Sequence, residues 1–517
     1  MMRILVATLA VVLGAEAQVT SGDLLRADPS NWLSYSGAYH SQRHSALRQI
    51  HTGNVRALVP KWIFHVPGAT RLQAVPLVSN GVMYVSQPNE VYALDAGSGR
   101  KIWEYRFESA VERGPNRGVA LYGNRVYFGT PDAHLVALDA RTGNRLWAVE
   151  LAKAAEGYWC PVAPMVVKDK VIIGIAPGDY GLNGWLDAYD AVTGERRWRW
   201  NVIPRPGEPG NETWAGDSWK TAGGNTWLTG SYDPELNLIY WGTGNPAPDF
   251  NGDMRRGDNL YTECMVAIDA DTGKLKWYFQ FTPHDVYDWD SVEIPVLVDA
   301  AVGGRTRKLL LQANRNGFYY VLDRATGEFL TGVPYAKQTW ADGLDAKGRP
   351  IRKKGISPSL EGTLVFPNIG GAANWFSPSY SPQTKLFYQA AREMGTVYFK
   401  GAAEYKPGTA FTGGGGRHVQ GDDASGAIRA LDATTGKMRW EFPLLSPGYT
   451  SLLSTAGGLV FGGSEEGNFF ALDAETGKPL WDTQIGGAVR GIPMSYAVDG
   501  KQYIAIAAGF TLFVFAL

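Results

Sequence analysis

Val266-AIDADTGKLKW-Tyr278 is the stretch whose reading decides the fold. Its apolar residues alternate up to Asp269, as in a strand with two faces. Asp269 is placed to cap a tight turn through its carboxylate, and Gly273 supplies the left-handed position such a turn needs. A second strand then carries Trp277, a large apolar surface suited to burial against a neighbouring unit. The same A-x-D-A-x-T-G-x-x-x-W pattern appears as Tyr92-ALDAGSGRKIW-Glu104, Val136-ALDARTGNRLW-Ala148 and Asp187-AYDAVTGERRW-Arg199. It returns as Tyr320-VLDRATGEFL-Thr331, Arg429-ALDATTGKMRW-Glu441 and Phe470-ALDAETGKPLW-Asp482. The copy at 320–331 has Leu330 where the others have Trp.

Repeats of this kind mark a ring of sheets, since each unit must bury its apolar face on the next. The short intervals, such as Asp95 to Asp139, fit one four-stranded blade of roughly 40–50 residues. The long ones hold insertions at 204–223 and 331–367. Lys61-WIFHV resembles the second half of a motif, and Lys501-QYIAIAAGFTLFVFAL resembles the strands of one without that half. Pairing these two segments would close the ring and remove both free sheet edges. The sequence therefore predicts an all-β, eight-bladed β-propeller closed by N- and C-terminal strands, with residues 18–517 as a single domain.

Composition agrees. The 517 residues include 63 glycines and 18 tryptophans, as expected for short aromatic strands joined by tight turns. The net charge of −1, without runs of like charge, argues against nucleic-acid binding. Residues 1–17 read as a cleaved signal peptide: Arg3, then the apolar stretch Ile4 to Leu13, then Ala15-Glu16-Ala17. An exported, periplasmic protein is expected, not an integral membrane protein. Cys160 and Cys264 are the only cysteines, so no disulfide framework and no C-x-x-C-H haem attachment is expected.

The segments between repeats carry the chemistry. Asn116–Trp147, Trp185–Pro209, Ser231–Pro246, Thr282–Asp290, Gln312–Arg324 and Thr455–Trp481 follow one another as in the quinoprotein alcohol dehydrogenases, which the chain resembles over nearly its whole mature length. The resemblance implies pyrroloquinoline quinone (PQQ) with Ca²⁺ or a lanthanide ion, and oxidation of a small alcohol or aldehyde. It also implies a separate electron acceptor such as a soluble cytochrome c, because no haem motif is present. Trp227 matches the tryptophan floor under PQQ, Arg117 in Asn116-RG a partner of a PQQ carboxylate, and Asn374 in Ala372-ANW a hydrogen-bonding partner. Asp288 in Pro283-HDVYDWD matches the catalytic aspartate, and Arg315 in Ala313-NRNG the arginine beside the quinone oxygen. Asp179, Asn245, Asp288 and Asp290 match the metal ligands, Asp290 being an aspartate of the lanthanide-dependent members.

Several positions depart from the family pattern. Val111 and Glu112 stand where most members carry two adjacent cysteines that cover the upper face of the quinone. Asp179 replaces a metal-binding Glu, Asn183 an Arg, and Gln73 a PQQ-contacting Glu. Trp159-CPVAP replaces a Thr-rich stretch, and Tyr449 a lid tryptophan. Two readings follow. One is a PQQ- and metal-dependent dehydrogenase. The other is a quinoprotein-like propeller that has lost PQQ and serves as a binding or scaffold protein.

Overall fold

A strand from each end of the chain meets in one sheet. In the computed structural model, which describes residues 18–517 apart from 27, 69–71, 110, 112–113 and 420–423, strand Val59–His65 pairs antiparallel with Thr511–Ala516. That sheet continues through Lys501–Ala508 to Met494–Val498. The proposed signal segment lies outside the described residues. Among the described residues the chain forms seven four-stranded antiparallel sheets and one five-stranded sheet, each built mainly from strands consecutive in sequence, with two smaller sheets of three and two strands beside them. The fold is an all-β propeller.

The repeat motif supplies the outer two strands of a sheet and the turn between them. Cys264–Asp269 pairs with Leu275–Gln280, and Asp269 Oδ1 accepts from the Thr272 amide at 2.9 Å and its hydroxyl at 2.8 Å. The motif tryptophan then docks on the next repeat. The Trp198 indole donates to Ala270 O at 3.2 Å, and its ring packs against Gly273. A Cβ on Gly273 would come within 2.7 Å of that ring, at a φ of +70°. Glycine is thus required twice at this position, by the turn and by the docked indole. The exception at Leu330 has a structural reason. In that sheet Tyr319 donates to Ala433 O at 2.8 Å and packs against Gly436, taking the place of the missing indole.

Antiparallel order fixes where function can sit. Within each sheet the start of the first strand and the end of the second lie at the same end, while the D-A-x-T-G turn joins third and fourth strands at the opposite end. The candidate residues fall at the first kind of junction. Asn245 follows strand Leu238–Gly242, Arg315 follows Arg305–Ala313, and Trp227 precedes Ser231–Asp233. Asp288 and Asp290 precede Val296–Val302, and Asn374 precedes Ser379–Ser381. Among the described residues no helix is long and apolar enough to cross a membrane, and both cysteines are free and buried.

Candidate active site

One cavity of about 250 Å³ gathers Arg117, Asp179, Trp227, Asp288, Asp290 and Arg315 on its wall. Asp290 is the hub. Its Oδ2 accepts from Arg315 Nη2 at 3.0 Å and from the Trp227 indole at 3.1 Å. Its Oδ1 accepts from the Asn245 backbone amide at 2.9 Å. Arg315 also donates to Asp288 O at 2.9 Å and to Asn374 Oδ1 at 3.3 Å. All eight residues singled out in the sequence therefore lie in or directly behind one site.

The floor is aromatic, and two guanidinium groups lie over it. The Arg117 guanidinium carbon lies 4.6 Å from the Trp227 ring centroid, and that of Arg315 lies 5.7 Å from it. A planar anion set on Trp227 would meet both positive charges beside an aromatic face.

Asp288 reaches the cavity through an unusual backbone. Its φ is +61°, a region uncommon for residues other than glycine and most accessible to Asn and Asp. Asp285, fully buried, holds that conformation. Its Oδ2 accepts from the amides of Asp288 at 2.8 Å, Tyr287 at 3.2 Å and Trp289 at 3.3 Å.

The electrostatics are lopsided. Loss of water, followed by the charge of Asp290, pushes the Asp179 carboxyl up to about 6 despite the opposing pull of Arg315. Burial and then the neighbouring carboxylates of Asp179, Asp290 and Asp249 raise Asp288 well above the usual range. Asp249 is raised for the same reasons. Burial would lower the Arg315 guanidinium, but the carboxylates of Asp290, Asp288 and Glu293 outweigh that and keep it charged. Among the described residues no group of three or more His, Cys, Asp or Glu side chains is placed to hold a metal ion by itself. The cavity instead presents Asp and Asn oxygens in carboxylate excess. That is the hard-oxygen donor set Ca²⁺ and lanthanide ions prefer, and an ion there would relieve the repulsion.

Several contributors were not foreseen. Asn225, 3% exposed, lines the cavity with a buried Oδ1 that finds no partner among the described residues. Its Nδ2 reaches Asn245 Oδ1 at 3.4 Å. Glycines at 178 and 244 leave it room, since a Cβ on either would lie within 2.7 Å of its amide. The sequence signal was its place two residues before Trp227. Asp285 and Asp249 stand three and four residues from Asp288 and Asn245, a proximity that is itself a signal, whereas the buried Glu263 reaches Ser291, next to Asp290, only on folding.

The departures resolve individually. Asn183 accepts from the Ala222 amide at 2.9 Å and donates to Trp219 O at 2.9 Å, pinning the 204–223 insertion. Tyr449 stacks on Trp375 with centroids 6.0 Å apart and planes 11° apart, with Arg392 over its ring at 4.3 Å. Gln73 is buried, and its Oε1 lacks a partner among the described residues. Glu112 lies outside the described residues. Trp159 lines the cavity and packs on Gly114, where a Cβ would come within 2.2 Å of its ring.

Comparison with known proteins points the same way. Residues 32–341 and 443–504 match the family model described as PQQ, glucose/ethanol/alcohol dehydrogenase, beta-propeller domain. The quinoprotein alcohol dehydrogenase PedH of Pseudomonas putida is 39% identical over 532 aligned positions, covering 96% of this chain and 89% of that protein. The lanthanide-dependent methanol dehydrogenase of Methylacidiphilum fumariolicum is 35% identical, covering 94% of this chain and 85% of that protein. Among solved structures, a europium-containing methanol dehydrogenase superposes with a TM-score of 0.90 at 32% identity, covering 95% of this chain and 99% of that one.

Proposed function

The chain belongs to the PQQ-dependent alcohol dehydrogenase family, and on that premise we propose that it oxidises a small alcohol or aldehyde at the cavity above Trp227. The carrying observation is the convergence of Asp179, Asn245, Asp288, Asp290 and Arg315 around the Trp227 floor, which supports the enzyme reading over that of an emptied scaffold. Asp179, Asn245, Asp288 and Asp290 would hold Ca²⁺ or a lanthanide, and Arg117, Trp227 and Asn374 would hold PQQ. When bound, PQQ is a two-electron acceptor that takes hydride, and the cation supplies Lewis acidity.

The protein's own part is positioning and proton transfer. Trp227 gives a flat apolar platform. Arg117 and Arg315 fix the orientation of an anionic ring system by charge and by their rigid donor forks. The left-handed backbone at Asp288 aims its carboxylate at the cavity, where it accepts the proton of the substrate hydroxyl. With a cation held beside it, that carboxylate would stay ionised and able to act as a base. Trp159 and Pro161 line the same wall. We read the eight sheets as eight blades of one domain spanning 18–517, exported to the periplasm and passing electrons to a separate acceptor.

The test is reconstitution. Chelator-treated protein mixed with PQQ and either Ca²⁺ or a light lanthanide should acquire quinone absorption and reduce an artificial dye when given a primary alcohol. Absence of PQQ uptake with every cation would leave the scaffold reading.

A further inference from the structure

Asp249 is 2% exposed and lies behind Asn245, four residues along the chain. Asn245 Nδ2 donates to Asp249 Oδ1 at 3.0 Å. The nearby Arg255 is fully buried, yet it directs its donors to the carbonyl oxygens of Pro248, Asp249 and Asp285 and to Asn259 Oδ1. The Asp249 carboxylate therefore faces Asn245 and not a guanidinium.

A side-chain amide has one donor end and one acceptor end. Asp249 Oδ1 accepts from the donor end of Asn245. Asp249 thus fixes which end of Asn245 faces which way. Nδ2 turns to Asp249, and Oδ1 turns toward Gly178, whose Cβ, if present, would lie 3.0 Å from it. Gly178 is the immediate neighbour of Asp179, a proposed ligand.

We infer that Asp249 is a positioning residue of the cation site, orienting the Asn245 oxygen toward the ion through its hydrogen bond to the Asn245 amide nitrogen. The inference rests on the cation site proposed above and adds a residue that does not itself bind the ion.

The experiment uses the full chain, stripped of metal and titrated with Eu³⁺. Emission lifetimes in H₂O and D₂O report affinity and the number of waters bound to the ion, and Ca²⁺ competition reports selectivity. Asp249→Asn keeps an acceptor oxygen and should leave Eu³⁺ affinity and water count near the wild-type values. Asp249→Leu loses the acceptor and should lower Eu³⁺ affinity by about tenfold, the range seen when groups behind metal ligands are changed, and admit one more water as Asn245 turns away. Wild-type protein that takes up Eu³⁺, paired with an Asp249→Leu variant of unchanged affinity and unchanged hydration, would overturn the inference alone. Wild-type protein that takes up neither ion overturns the cation site itself and the inference with it. Thermal unfolding of each variant separates these results from loss of fold.

Discussion

The two ends of the sheets use aspartate in opposite ways. At the turn end, Asp190 Oδ1 accepts from the amides of Val192 at 2.9 Å and Thr193 at 2.8 Å, and Oδ2 pairs with Arg197 at 2.6 Å. Burial alone would raise its carboxyl, but Arg197 and those amides outweigh it and hold Asp190 at about 2. At the cavity end, Asp179 is pushed up to about 6, and Asp288 and Asp249 are raised too. The first set is satisfied by the fold itself. The second is left in want of positive charge, as a site shaped to receive a cation requires. The same residue type therefore builds the ring at one end and equips it at the other.

The largest expected break of this contrast is Asp288→Asn. It should cut turnover of the reconstituted enzyme on the order of 10³-fold, as removal of a general base does, without lowering the melting temperature of the metal-free protein. Stopped-flow dye reduction and thermal unfolding measured side by side would check it. A melting temperature that falls with activity would put Asp288 among the structural aspartates. Trp198→Ala acts at the other end. It empties a docked indole, costs about 3–5 kcal/mol by urea unfolding, and leaves the turnover of the folded fraction in place. A loss of turnover matching the unfolding would mean the two ends are not separable.

The smallest effect is also the most diagnostic, because the two ends titrate with opposite signs. Asp190 is depressed from 3.8 to about 2, so its stabilisation is complete above 3.8 and is lost as the pH falls through about 2. Asp179 is raised from 3.8 to about 6, so between those values the folded chain binds a proton that the unfolded chain does not. Metal-free protein should therefore gain stability as the pH falls across that window and lose it below. Saturating the site with a lanthanide should abolish the gain and stabilise the neutral-pH protein by about 2.7 kcal/mol at a hundredfold excess over Kd. Scanning calorimetry across pH, with and without ion, reads both. Parallel curves in the two conditions would mean that the cavity carboxylates do not hold the ion.

The sequence exposed the ring because its repeat is local. Turn, glycine and tryptophan sit within a dozen residues, and each obeys short-range rules. Trp227, Asp288 and Arg315 were legible for a related reason, since each lies in a distinctive stretch between repeats. Asp249 and Asp285 were harder to read although they stand close to Asn245 and Asp288 in the chain, because their roles depend on a hydrogen bond and a backbone conformation that only the fold sets. Asn183 shows the reverse. It stands where the family motif has an Arg, and its side chain binds an insertion loop. The replacement of the cysteine pair could be read as a loss, while the aromatic Trp159 on the same cavity came into view only in three dimensions.

The pairing of Val59–His65 with Thr511–Ala516 also governs when the molecule can exist. His65 and Thr511 stand 446 residues apart in the chain, yet they are cross-strand partners. Contacts of such separation carry the largest loop-closure cost and form late. During synthesis the early strand must wait, unpaired, while every other sheet is made. The seam is the last joint of the ring to close, so a nascent chain cut short before it keeps an open edge facing solvent, exposed to aggregation or proteolysis.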